Sequence, residues 1–261
     1  MPALTNDAIL AAAELLGVQT LPHVLGVGPR QDRIDAFLAA RTAALDGLRT
    51  ARLLDRYGDL DSDLAAALHI LAQPERELAT RIHTASGVRR ICLARRGTGH
   101  VVAVRTDDTF ELATGWGGDA AGLARPVLDA LGPRPPAAVP TFSAPVDRLR
   151  ERLDAARTAA DYTQICYGLG VEERAAIGFG LAMSGCLAHA EIVAYTHANG
   201  ATRAAPGAVA IYDTHRGRIV AGPNVAADHT IWTTFSPGTD HRVAHAVTRL
   251  VETLPGGRWM P

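Results

Sequence analysis

Gly207-Ala-Val-Ala-Ile-Tyr-Asp-Thr-His-Arg-Gly-Arg-Ile-Val-Ala-Gly222 alternates around a short turn, and Thr230-Ile-Trp-Thr-Thr-Phe-Ser-Pro-Gly238 follows it closely. The alternation predicts strands over 208–212 and 218–221, joined by Asp213-Thr-His-Arg-Gly217. Gly217 supplies the positive φ that the return requires. Ile231 to Phe235 is expected to pair next. Ser236-Pro-Gly-Thr-Asp240 offers a cap and a first-turn proline to a last helix. Val243, Val247, Leu250 and Leu254 share one face of that helix, and Pro255-Gly-Gly ends it. The same order occurs earlier in the chain. Val88 to Arg95 is a strand, Arg96-Gly-Thr-Gly99 a turn and His100 to Thr106 a strand. Asp107-Asp108 then turns into Thr109 to Thr114, and a helix runs from about Asp119 to Leu131. One unit is thus written twice, in halves of about 1–131 and 145–255. Gly132-Pro-Arg-Pro-Pro-Ala-Ala-Val-Pro140 links them, since so much proline admits neither helix nor central strand.

Outward from these units, Thr5 is placed to cap a first helix, with Asp7 in its first turn and Gly17 as its stop. Gln19 to Val27 alternates loosely and predicts a short strand, which Pro22 restricts to an edge or a strand start. Asp32 to about Leu54 is helical, with a stripe of Ile34, Phe37, Leu38, Leu45 and Leu48. Asp61-Ser62 opens a third helix carrying Leu64, Leu68 and Leu71, and Glu77 to Thr84 suits a strand with one wet face. Ser143 and Pro145 are expected to start the helix bearing Val146, Leu149, Leu153 and Ala156. Glu172-Glu173 suits another helix N-terminus. Ala176, Phe179, Met183 and Leu187 then recur at helical spacing, interrupted by Gly178, Gly180 and Gly185. Glu191 to Thr196 returns to strand.

With 261 residues, the chain is long enough for a substantial core or for two small domains. Its net charge of −1, with acids and bases mixed throughout, implies no basic field for nucleic acid or anionic membrane. No apolar run approaches the ~20 residues that span a bilayer, and no signal peptide is visible, so a cytoplasmic location is expected. Cys92, Cys166 and Cys186 lack metal or redox spacing and are expected to be reduced thiols.

No active site declares itself. His241 and His245 lie at i and i+4, but Arg242 stands where HExxH has its glutamate and no third ligand is placed nearby. Ser184 lacks a nucleophile elbow. Gly97-Thr-Gly99 and Gly168-Leu-Gly170 lack a phosphate-binding context, and turn or cap chemistry accounts for Asp107-Asp108 and Asp59-Leu-Asp61. Trp232 is expected in the core, whereas Trp116 and Trp259 are placed equally well as core or as binding anchors. No cofactor, metal or catalytic residue is therefore assigned. A hydrolase or transferase on a duplicated α+β scaffold remains the alternative class.

Asp213-Thr-His-Arg-Gly-Arg218, then Trp232-Thr-Thr-Phe-Ser-Pro-Gly-Thr-Asp240, then Leu250-Val-Glu-Thr-Leu-Pro255 resembles the C-terminal end of the EspG family. Asp61-Ser-Asp-Leu64 leading to Leu71-Ala-Gln-Pro-Glu-Arg-Glu-Leu78 resembles that family's helix into a strand start. The likeness is sharpest over 61–82 and 207–255 and weakest over 160–190. It implies an α+β fold with a central, mainly antiparallel β-sheet flanked by helical bundles and a quasi-twofold internal repeat. It also implies a chaperone of ESX (type VII) secretion. Such a chaperone holds the PPE tip of a PE–PPE heterodimer, keeps the pair soluble and delivers it to the machine. Phe179, Met183 and Leu187, in the second helical bundle, are the candidate partner-contact residues, with core packing as the other role. A homodimer is left open.

Overall fold

Arg76–Thr84 (β2) and Cys186–Ala198 (β7) pair antiparallel from Arg76↔Thr196 to Thr84↔Ala188 and form the seam of the sheet. The computed structural model describes residues 1–115 and 120–260, so Trp116 and the expected helix start at Asp119 lie outside the described residues. On one side of the seam the sheet continues through Gly87–Arg96 (β3), Gly99–Thr106 (β4), Thr109–Thr114 (β5) and Leu4–Thr5 (β1). On the other it continues through Val209–Thr214 (β9), Gly217–Val225 (β10), Ile231–Pro237 (β11) and Phe142–Pro145 (β6). Ala201–Ala204 (β8) folds back on β7. The strand pairings are antiparallel throughout.

Asn6–Leu15 (α1), Ile34–Thr50 (α2) and Ser62–Ala72 (α3) precede β2. Val146–Ala155 (α5), Ala159–Tyr167 (α6) and Glu173–Met183 (α7) precede β7. Ala120–Leu131 (α4) follows β5, and Asp240–Glu252 (α8) follows β11. The fold is therefore the expected α+β arrangement of an antiparallel sheet with helices on both faces. Its helix starts have local causes. Thr5, Asp61 and Thr239 accept backbone N–H groups at the starts of α1, α3 and α8, and Glu172 does so for α7. Thr158 and Asp161 form a capping box that starts α6 afresh after α5.

Side-chain alternation along the strands separates the two faces. On one face α4 and α8 pack over Leu78, Ile82, Ile192, Ile211 and Val220, covering the seam. On the other face the covering is split. α1 and α3 bury Cys92, Ala94, Val101 and Ala103 on the β3–β4 side. α5, α6 and α7 bury Ala144, Ile219, Ala221 and Phe235 on the β10–β6 side. Within that second bundle, Gly180 meets α6 closely: an added Cβ would collide with Thr163 and the Ala159 carbonyl. Close helix packing thus accounts for one of the three glycines.

Several expectations are corrected. Gln19 to Val27 is not a strand. After Pro22 the chain makes a 3-10 turn at His23–Leu25, closed by Gly26 at φ 57°. Its carbonyls are satisfied by side chains rather than by a ladder: Arg90 donates to Val24, and Arg105 to Leu25 and Gly26. Ser143 does not begin a helix but lies in the edge strand β6, paired with β11, with its Oγ 2.7 Å from Thr234 Oγ1; Pro145 ends that strand and is the N-cap of α5. Proline keeps Ala144 extended, and Pro145 itself, at ψ 135°, is the non-helical cap from which the helix starts at Val146. Pro237 ends β11 instead of opening α8. The stripe predicted for α2 is only partly buried: Leu48 is in the core, whereas Ile34 is 81% and Leu38 54% exposed.

Candidate functional site

Because the two bundles cover separate parts of one face, the strands between them stay open. The residues of β2 and β7 that point away from α4 and α8 form the floor of a groove. Its N-terminal part is a cleft of about 390 Å³ over Glu77, Ala79, Arg81, Glu191, Val193 and Tyr195, walled by the 3-10 turn and the end of α3. One strand further, a second cleft of about 390 Å³ lies between α5 and β9–β11. It is lined mainly by Leu149, Leu153, Ala208, Ala210, Tyr212 and Phe235. A polar half and an apolar half thus lie side by side.

The polar half holds several ionisable groups. Glu77 is almost fully buried, and its carboxylate lies 3.0 Å from His197 Nε2, while His197 Nδ1 lies 3.0 Å from Thr202 Oγ1. A neutral ring protonated on Nε2 donates to Glu77 and accepts the threonine hydroxyl. This arrangement ties β8 and β7 to β2. Arg81 and Glu191 face each other directly across the seam, yet no hydrogen bond or salt bridge joins them among the described residues. Two positions along, His83 and His189 also face each other, with rings stacked at 4.6 Å and 9°. Burial, and then the neighbouring His83, push the His189 pKa below its usual value. On the apolar side, burial pushes Tyr212 up to about 12.

The three sequence candidates separate. Phe179 is 1% exposed and Met183 7%. Phe179 packs edge-on against Phe142 and Phe235, at 5.1 and 5.4 Å, in the core of the second bundle. Neither residue is at the surface. Leu187 is 40% exposed, but it does not belong to the helix: α7 ends at Met183, and Leu187 lies in β7 within the bulge between Cys186 and Ala188. The exposed apolar side chains on α7 are Ile177 and Leu181, one turn apart. Their i, i+4 spacing is visible in the sequence, but it runs beside the more apolar stripe of Ala176, Phe179 and Met183, which faces the core.

The C-terminal motif is scaffold. Asp213 and Arg218, opposite each other on β9 and β10, are both buried and joined bidentately at 2.7 and 3.0 Å. Arg218 also donates to the Gly132 carbonyl, and its backbone pairs with Pro135 and Ala137. The proline-rich link is therefore fixed to the hairpin turn. Gly217, at φ 113°, has Pro135 O and Ala137 N within 2.7 Å of where a Cβ would stand. His241 and His245 are exposed on α8, Trp232 is half-buried, and Trp259 is buried against the α4–α8 core. Cys92 and Cys166 are buried and Cys186 is exposed, all three as free thiols. No helix among the described residues is long and apolar enough to cross a membrane.

The EspG family model matches residues 5–249. The chain belongs to the EspG family. It is 30% identical to the ESX-3 secretion-associated protein EspG3 of Mycolicibacterium smegmatis over 263 aligned residues, covering 99% of this chain and 88% of that one. It is 29% identical to the ESX-1 secretion-associated protein EspG1 of Mycobacterium tuberculosis, over 98% of this chain and 88% of the relative. The fold matches that of the type VII secretion system chaperone EspG5 of Mycobacterium tuberculosis, solved in complex with a PE25-PPE41 dimer. The TM-score is 0.80 at 18% identity, over 99% of this chain and 98% of EspG5. The segments quoted above thus carried a family likeness that extends along nearly the whole chain.

Proposed function

We propose that this protein is a cytosolic, non-enzymatic chaperone of an ESX secretion system. It holds the apolar tip of the PPE subunit of a PE–PPE heterodimer, keeps the pair soluble and delivers it to the machine. The observation that carries this reading is the groove left open between the two helical bundles, with an apolar cleft beside a polar one. A helical-hairpin client with an apolar tip self-associates unless the tip is covered. A cleft bordered by bundles, with Ile177, Leu181 and Leu187 exposed on the C-terminal side, offers such a cover. The matching order of elements, with β1 to α4 on one side and β6 to α8 on the other, supports reading the chain as two halves of about 1–131 and 145–255 joined by the link at 132–140.

Co-expression with the PE–PPE pair encoded beside its gene tests the proposal. A soluble ternary complex on size exclusion is expected, and separate elution of every neighbouring pair would refute it. Ile177→Asp with Leu181→Asp is expected to weaken the complex about tenfold, about 1.4 kcal/mol, while leaving the unfolding midpoint near that of the native protein. Titration calorimetry and thermal melts would read the two effects separately.

A further inference from the structure

The chaperone reading says that a client enters the groove but not what its floor contributes, and this inference rests on that reading. We propose that the stacked His83–His189 pair is a contact platform of the groove, taking an uncharged, apolar or aromatic group of the client only while both rings are neutral. Binding is thereby coupled to proton release.

The geometry carries the argument. His83 and His189 are direct cross-strand partners at the seam, on the face that neither bundle covers. The pair lies two positions beyond Arg81 and Glu191, outside the cleft itself but on the same face of the sheet, with His189 exposed and His83 half-buried. Its rings are parallel at 4.6 Å, and two imidazolium charges are not readily held at that separation. The groups facing the pair set the balance. On β2, Arg81 lies two positions away on the same face; on β3, Val88 is the direct neighbour of His83, with Arg90 beyond it. On β7, Glu191 is the one nearby carboxylate on that strand's open face, with Leu187 on the other side of His189. On β9, Tyr212 is the direct neighbour of His189. Asp107, in the β4–β5 turn, approaches Gly87 at the rim. Arg81 and Glu191 offset each other, so each proton added to the histidines makes the floor more positive. Covering an imidazolium with an apolar tip removes its water without supplying a partner, which disfavours the charged form.

The sign follows. The folded pKa of His189 already lies below its ordinary value, and the neutral form is the one that binds. Affinity is therefore fully present above that pKa and declines as the pH falls through it, by up to about tenfold per pH unit for each proton released. The His197–Glu77 contact ties β7 to β2 elsewhere on the floor.

The test compares the native protein with His83→Gln/His189→Gln, measuring affinity for a purified PE–PPE pair by calorimetry between about pH 7.5 and about pH 5.5. Weakening of about tenfold or more is expected for the native protein and less than about threefold for the double variant. Equal slopes for the two would overturn the platform. If no complex forms at about pH 7.5 the chaperone reading fails, and a second measurement on the free protein still judges the pair. In an NMR titration His189 is expected below the ordinary histidine value, moving upward in His83→Gln; a His189 titration unchanged in that variant would overturn the coupling.

Discussion

Asp213–Arg218 and Arg81–Glu191 are the same local arrangement with opposite outcomes. Each sets an acid directly against a base across two antiparallel strands. In the first, both partners are buried, the guanidinium grips the carboxylate at two points, and its remaining donors hold the link between the halves. In the second, at the groove floor, the partners make no bond with each other. Covering explains the difference. The loop at 132–140 closes over Arg218, shutting its charge away from water with Asp213 as its bidentate partner, the Gly132 carbonyl as a second acceptor and Asp240 3.8 Å away, whereas no helix closes over Arg81. A cross-strand pair becomes structural when something seals it, and stays available for recognition when nothing does.

The first way to test this contrast is Asp213→Ala. It leaves a buried guanidinium with only the Gly132 carbonyl and the more distant Asp240, and a loss of about 3 kcal/mol is expected in chemical denaturation. If the loss were below about 1 kcal/mol, the pair would not be holding the link. A smaller effect is expected from Gly238→Ala, whose new Cβ would stand 2.8 Å from the Arg218 carbonyl carbon. Overpacking there should cost about 1–3 kcal/mol and lower the melting temperature. The smallest effect on stability belongs to the open pair. Arg81→Ala or Glu191→Ala should change unfolding by no more than about 0.5 kcal/mol, while reducing client affinity measurably. A large loss of stability from either would mean that the two bond in solution and that the groove floor is structural.

The same contrast explains what the sequence made legible. Asp213-Thr-His-Arg-Gly-Arg218 keeps both partners of the sealed pair in one hairpin, so local pattern exposes them. Caps at Thr5 and Asp61, the strands β3 to β5 and β9 to β11 and the last helix are likewise visible, because short-range spacing determines them. Arg81 and Glu191 belong to different halves of the chain, and only the β2–β7 pairing brings them together. A groove is also a place that nothing covers, and no residue type marks that absence. Leu187 was misplaced because its spacing from Met183 continues a helix; Ser184 and Gly185 turn the chain instead, and a bulge starts the strand. The 19–27 segment misled because its backbone is satisfied by Arg90 and Arg105 from distant strands.

The seam has a consequence in time. β2 pairs with β3 as soon as both exist, but its other edge waits for β7, which lies roughly 100 residues further along the chain. At about 5–20 residues per second, a ribosome leaves that edge open for about 5–20 s. An unpaired strand edge invites intermolecular pairing, and charged side chains along it are one defence. β2 carries Arg76, Glu77 and Arg81 along this edge. Two of these charges, Glu77 and Arg81, lie on the floor of the finished groove, so the same residues also guard the nascent protein against the kind of association from which it is proposed to protect its clients.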